Sequence, residues 1–158
     1  MMMQLSIRPV TKENWRTLAK LKVRQDQTNY VASNVYSIAE SQFGFDDADG
    51  GHWDMYPFGI YDNEVPVGFL MYGTNFSNKE YQAFIIRLMI DESQQAKGYG
   101  AFGMKKMLEI FREDKRINAV GISYEPDNEV ARKLYDRLGF VETGEVLDGE
   151  VVAVCKIR

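Results

Sequence analysis

Three features of the 158-residue chain predict an α/β fold. Residues 84–100, FIIRLMIDESQQAKGYG, run from an apolar, β-branched stretch through a polar turn and a glycine-bearing loop directly into a helical pattern. The spacing of apolar residues switches repeatedly between strand-like and helix-like along the chain. Near the C-terminus, Asp148-Gly149 separates two strand-like runs, the strongest hairpin signal present.

Taken in order, residues 5–9 read as a first strand. Thr11 suits the N-cap of a first helix, from which Trp15, Leu18, Leu21 and the stem of Lys22 face inward. A bend at 30–34 leads to a short second helix at 36–43, and 44–54 reads as a polar, acidic, glycine-bearing loop. Strands at 56–61 and 65–72 are joined as a hairpin by Asp62-Asn63-Glu64, and a loop follows at 73–79. The central strand, 84–90, stops at Asp91-Glu92-Ser93. Beyond the loop, Ala101, Met104, Met107, Leu108 and Phe111 recur at spacings of three and four and share one helix face. Residues 118–124 are a fifth strand. Asp127 or Asn128 caps a helix that runs to Leu138 and ends at Gly139, and 140–147 and 150–157 form the closing hairpin. With no internal repeat or linker, residues 1–158 read as one domain.

Composition excludes several classes. Apolar residues make up 45% and charged residues 27%, ordinary for a globular protein. The single cysteine, Cys155, allows no internal disulfide and no cysteine cluster for a metal; in its strand-like run it reads as a core thiol. The single histidine, His52, cannot build a histidine-rich metal site, so no metal is expected. The N-terminal MMMQLSIRPV has no apolar signal region and no apolar run approaches a membrane span, so the expected location is cytoplasmic, away from membranes.

Charge is distributed unevenly. Residues 25–78 contain no Lys or Arg and eight acids: Asp26, Glu40, Asp46, Asp47, Asp49, Asp54, Asp62 and Glu64. That stretch carries −8; the remainder has 19 bases and 15 acids, hence +4, and the whole chain −4. Aromatic residues, Tyr30, Tyr36, Phe43, Phe45, Trp53, Tyr56, Phe58 and Tyr61, are interleaved with the acids. Such a surface either attracts cations, by charge and by ring faces, or is simply a solvated acidic face. The basic remainder suits a polyphosphate, whereas nucleic acid is not expected to be drawn to a chain this acidic.

The strand–loop–helix at 84–100 aims backbone N–H groups and the positive end of a helix at one spot, which suits a phosphate. Gly98 and Gly100 alone fit an ordinary strand-to-helix turn equally well. The sequence lacks GxxxxGK[ST]; Gly98, Gly100 and Gly103 have the GxGxxG spacing, which on its own is a weak signal. It does contain Gln95-x-x-Gly98-x-Gly100 after a strand ending Leu88-Met89-Ile90-Asp91, which resembles the acetyl-coenzyme A signature of the GNAT superfamily of N-acetyltransferases, Q/R-x-x-G-x-G/A. A second stretch, Asn128-x-x-Ala131-x-x-Leu134-Tyr135-x-x-Leu138-Gly139-Phe140, resembles that superfamily's second signature at the expected distance. Val130, Leu134 and Leu138 make an apolar stripe with Tyr135 beside it, and Tyr135 lies two helical turns from Asn128. Further similarity, over 30–37, Tyr56-Pro57-Phe58, 65–72 and 87–91, is to bacterial spermine/spermidine acetyltransferases and extends the resemblance over nearly the whole chain.

The resemblance implies an α+β fold: a mixed, mostly antiparallel, twisted sheet with flanking helices, in which the strand of Leu88 to Ile90 and that of Gly121 to Tyr124 splay apart around the pantetheine arm. It implies that Leu88, Met89 and Ile90 bind pantetheine and polarise the thioester. It implies that Gln95, Ala96, Lys97, Gly98, Tyr99 and Gly100 hold the pyrophosphate through N–H groups, that Asn128 binds the pantetheine arm, and that Tyr135 protonates the departing thiolate. Homodimers are common in the family. The chemistry implied is direct attack of an amine on acetyl-CoA. An alkyl ammonium has a pKa near ~10, so a base or water chain must take its proton. The central strand has no acid near Ile86, and Glu40 is the leading candidate for that role. The expected acceptor is a small polycation, spermine or spermidine. The same chemistry on an aminoglycoside, another small amine or a protein amine is the alternative, and a non-catalytic acetyl-CoA-binding module is the third reading.

Overall fold

The computed structural model describes residues 3–28, 30 and 32–158. The chain runs β1 (Leu5–Pro9), α1 (Trp15–Ala19), a 3₁₀ turn (Gln25–Gln27), α2 (Asn34–Ser41), β2 (Phe45–Asp46), β3 (His52–Asp62), β4 (Val65–Thr74) and β5 (Ala83–Ile90). After a second 3₁₀ turn (Glu92–Gln94) come α3 (Tyr99–Glu113), β6 (Ala119–Tyr124), α4 (Glu129–Arg137), β7 (Val141–Leu147) and β8 (Glu150–Lys156). The sheet order is β1-β3-β4-β5-β6-β8-β7, with β2 paired to β3. Every pairing is antiparallel except β5 with β6. This is the mixed, mostly antiparallel α+β sheet expected.

β4 is buried on both faces, and its alternation sorts the core. Leu70 and Tyr72 join Met104, Met107 and Phe111 of α3 and Tyr135 of α4 on one side. Phe69 and Met71 join Met89 of β5 on the other, with Leu21, Val23 and Ile38 packed from the α1–α2 region. Met104, Met107 and Phe111 are fully buried at the spacing read from sequence, each contributing roughly 1.5–3 kcal/mol of transfer free energy. The Asp148-Gly149 turn has φ 49° and 82°, the left-handed pair that a two-residue hairpin needs.

The N-terminal third departs from expectation. α1 starts at Trp15 and not just after Thr11, because the Thr11 hydroxyl accepts from the Glu13 N–H (3.3 Å) and the Asn14 side chain from the Thr11 N–H (2.7 Å), closing a separate turn first. Lys22 is exposed, not inward-facing. α2 begins two residues early, at Asn34, because Ser33 caps it by accepting from the Tyr36 N–H (3.2 Å). Asn34 is itself buried and donates to the Leu18 carbonyl (2.8 Å). Of the expected bend at 30–34, Val31 lies outside the described residues. The loop expected over 44–54 is partly strand: β2 pairs with the start of β3, and Trp53 and Met55 are buried in alternation with exposed His52, Asp54 and Tyr56. Gly50 and Gly51 before it and the polar His52 and Asp54 within it hid that period of two.

Candidate active site

β5 and β6 pair only at Ala83↔Val120, Phe84↔Gly121 and Ile85↔Ile122. At the next residue β5 bulges: Tyr72 of β4 faces Ile85 and Met71 faces Arg87, so Ile86 is the extra residue. β6 then follows β8, and residues 86–90 lead away from it. The two strands part around a cavity of about 560 Å³. Beyond the bulge, that edge of β5 has no β6 ladder to satisfy its N–H and C=O groups, and it faces the cavity.

The loop at the head of the cavity follows from three local choices. The Asp91 side chain accepts from the Ser93 N–H (3.2 Å) and starts the 3₁₀ turn. Ala96 and Gly98 then take positive φ, 64° and 86°, and fold the chain so that Gly98 precedes α3 with no side-chain cap. Gly98, Tyr99 and Gly100, at the start of this fifteen-residue helix, line the cavity, and the N–H groups of a helix's first turn have no intrahelical partner. A Cβ built on Gly98 would meet no protein atom within 4 Å, and one on Gly100 would meet only Ile90, at 3.9 Å. The space above the loop is thus open to a ligand, and this open cradle of N–H groups fits a pyrophosphate.

The cavity brings together Leu88, Met89, Ile90, Gln95, Ala96, Gly98, Tyr99, Gly100, Asn128 and Tyr135. Their side chains are not equally free. The Tyr99 ring is buried and its hydroxyl donates to Asp62 (2.6 Å), so the residue faces the cavity by its backbone. Asn128 caps α4, its Oδ1 accepting from the Ala131 N–H (3.2 Å), which leaves its NH₂ as the donor for a ligand. Lys97 is exposed, off the wall, with its ammonium on Gln94 (3.0 Å). Tyr135 is 9% exposed, between Tyr124 and Phe140 with ring centroids at 5.5 and 6.1 Å. Burial first, and then the neighbouring Tyr124 and Glu150, push its phenol up to about 12, so it carries its proton at any physiological pH.

Glu40 stands off the wall. Its Oε1 accepts from Arg87 Nη2 at 3.2 Å, and Arg87 is the residue that reaches the cavity. Arg87 Nη1 also donates to the carbonyl of Ile86 (3.0 Å), the bulge residue. The cavity is also lined by Val23, Arg24, Asp26, Gln27 and Tyr30, none singled out as site residues from sequence, although Asp26 and Tyr30 belong to the acidic, aromatic stretch. That stretch is not one face. The eleven residues of β3 carry its acids to ends roughly 32–34 Å apart. Asp46, Asp47 and Asp54 cluster about His52 and Trp53, with His52 Nδ1 at 2.8 Å from Asp46, a hydrogen bond that raises the imidazole's pKa. Asp62 and Glu64 lie at the far end, bonded to Tyr99 and Arg8. Asp26 alone of the eight lines the cavity.

Residues 15–140 match the model of the acetyltransferase (GNAT) family. The chain belongs to the GNAT acetyltransferase family. This GNAT enzyme is an N-acetyltransferase with acetyl-CoA as co-substrate. It is 31% identical, over 96% of its length and 98% of the relative's, to a spermine/spermidine N(1)-acetyltransferase of Bacillus subtilis. Its fold matches that of a spermidine N-acetyltransferase from Vibrio cholerae in complex with CoA and spermine (TM-score 0.70, 17% identity, 96% and 93% of the two chains). It also matches an aminoglycoside acetyltransferase in complex with coenzyme A (TM-score 0.73, 16% identity, 98% and 95%). At those identities the structural likeness concerns the fold.

Proposed function

We propose that this GNAT enzyme acetylates a primary amine of a small polycation, with spermidine and spermine as acceptors. The observation that carries the acceptor class is the near-full-length relation to the Bacillus subtilis spermine/spermidine enzyme. It is supported by Asp26 and Tyr30, an anion and an aromatic face on the cavity wall.

Bound acetyl-CoA supplies an activated acetyl group as a thioester. The N–H groups of residues 95–100 hold its pyrophosphate, and Lys97 adds charge from outside the wall. Asn128 donates to the pantetheine arm. Leu88, Met89 and Ile90 pair with the same arm through the open edge of β5 and hold charge that develops on the carbonyl oxygen. Tyr135 donates its proton toward the departing sulfur. Arg87, fixed by Glu40, sits where the strands part; Glu40 acts through Arg87, and the acceptor's proton leaves through water on the Asp26 side. None of these roles requires a covalent enzyme intermediate.

The test is thiol release from acetyl-CoA against a panel of polyamines, aminoglycosides and peptide amines. Spermidine or spermine is expected to give the highest kcat/KM. A higher value for an aminoglycoside or a peptide would replace the acceptor class and leave the acetyltransferase intact.

A further inference from the structure

The wall that faces an incoming acceptor has little regular structure of its own between α1 and α2. Its position is fixed instead by the co-substrate loop. The Lys22 N–H donates to Asp91 Oδ1 (2.9 Å), and the Glu92 N–H donates to the Lys22 carbonyl (2.7 Å). Gln95 Nε2 donates to Gln27 Oε1 at 2.8 Å and to the Ile90 carbonyl at 3.0 Å. The same Gln27 oxygen accepts from the Arg24 N–H (3.2 Å). Both hydrogens of the Gln95 amide are thereby used. Its backbone belongs to the loop that cradles phosphate, while its side chain reaches across to the segment bearing Val23, Asp26 and Tyr30.

We propose that Gln95 is a positioning residue that couples the two substrate sites: acetyl-CoA on the loop fixes the Gln95 backbone, and its side chain, through Gln27, fixes the acceptor wall. This rests on the reading that residues 95–100 hold the pyrophosphate. The three bonds from 22–27 to 91–95 make one mechanical unit of two segments far apart in sequence. An unsupported wall would have to be ordered by the acceptor alone. By linkage, whatever acetyl-CoA does for acceptor affinity, the acceptor does for acetyl-CoA.

Amide hydrogen exchange read by mass spectrometry, with coenzyme A as the probe, tests this without any acceptor. In the wild type, saturating coenzyme A slows exchange over both α3 and residues 22–28, the latter by about 5- to 150-fold, the usual range of site-to-site coupling. Gln27→Leu keeps the slowing over α3, which shows that it folds and binds, and loses it over 22–28. Gln27→Glu, which keeps an acceptor for Gln95, restores it. Equal slowing over 22–28 in Gln27→Leu and wild type, or none there in wild type while α3 is protected, overturns the coupling. Absence of protection over α3 as well would overturn the loop assignment beneath it.

Discussion

Glu40 of α2 and Arg87 of β5 are bonded to each other, Oε1 to Nη2 at 3.2 Å, with side chains 28% and 19% exposed. The pair ties a helix to the residue beside the strand bulge. A carboxylate that takes a substrate proton must meet the substrate; this one meets Arg87. Glu40→Gln keeps an oxygen for Arg87 and is therefore expected to retain turnover within about tenfold, whereas loss of a direct base would cost ~10²–10⁴-fold. Glu40→Ala strands the guanidinium and is expected to cost about 1.5–3 kcal/mol of stability, much of it not added again when Arg87→Met is combined with it. Steady-state kinetics and urea unfolding of the two single variants and the double variant check both halves.

At Gly98 a side chain would strain the backbone and, as proposed, crowd the pyrophosphate, but would not meet the surrounding protein. Its φ of 86° strains any L-residue, by about 1–2 kcal/mol, while no protein atom lies within 4 Å of an added Cβ. Gly98→Val is expected to fold with a modestly lower Tm and to weaken acetyl-CoA binding by at least tenfold. Calorimetric titration of the folded variant is the measurement, and unchanged affinity would remove the pyrophosphate from this loop.

For Tyr135 the expected signature separates chemistry from packing. Tyr135→Phe keeps the ring contacts with Tyr124 and Phe140 and removes the hydroxyl. Turnover should fall ~10²–10⁴-fold with acetyl-CoA affinity nearly unchanged. Because the phenol is held at about 12, deprotonation of Tyr135 in the free enzyme should not limit kcat/KM below pH 10. A fall in turnover of only a few-fold would make the residue a packing element.

Acid stability should report on the end of α3. Arg116 donates to Asp114 through Nε (3.0 Å) and Nη2 (2.7 Å), and its backbone N–H also donates to that carboxylate. Arg116's side chain first, then its N–H, hold the Asp114 carboxyl at about 2. The folded state thus keeps this carboxylate ionised where the unfolded chain takes up a proton. The stabilisation is full above the ordinary value near ~3.8 and is lost as pH falls towards about 2. Asp114→Asn should narrow the difference in urea midpoint between pH 6 and pH 3. An unchanged difference would assign the acid sensitivity to other groups.

Acceptor recognition should be electrostatic but narrow. Asp26 is the one acid of the 25–78 stretch on the cavity wall, so Asp26→Asn should raise acceptor KM, and the KM of the wild type should rise with salt. Asp62→Asn and Glu64→Gln, at the far end of β3, should leave acceptor KM alone. A rise in KM on changing these two would mean that the whole acidic stretch takes part.

What could be read from the sequence was what repeats locally. The apolar spacing of α3, the Asp148-Gly149 turn and the two ordered signatures each announce themselves within a window of a few residues. The start of β3 was hidden because the polar His52 and Asp54 occupy the first outward positions, directly after Gly50 and Gly51, of a strand whose inward positions are Trp53 and Met55. Loop-like residue types masked the period of two. The unity of the acidic surface was a wrong inference from adjacency in sequence, since a long hairpin separates neighbours in composition by its whole length. Gln27 with Gln95, and Glu40 with Arg87, are contacts across 68 and 47 residues, and no local pattern encodes them.

The early end of the β5–β6 ladder also bears on how long a molecule of this enzyme survives. Two strands that part with their inner edges unpaired are an unfinished sheet, and a co-substrate bound along β5 as proposed above would finish it. Occupancy then adds to the free energy of the native state by mass action, about 2.7 kcal/mol at a hundred times Kd. Resistance to proteolysis should climb with acetyl-CoA and likewise with coenzyme A, which carries the same arm, so occupancy by either form should lengthen the life of the folded catalyst.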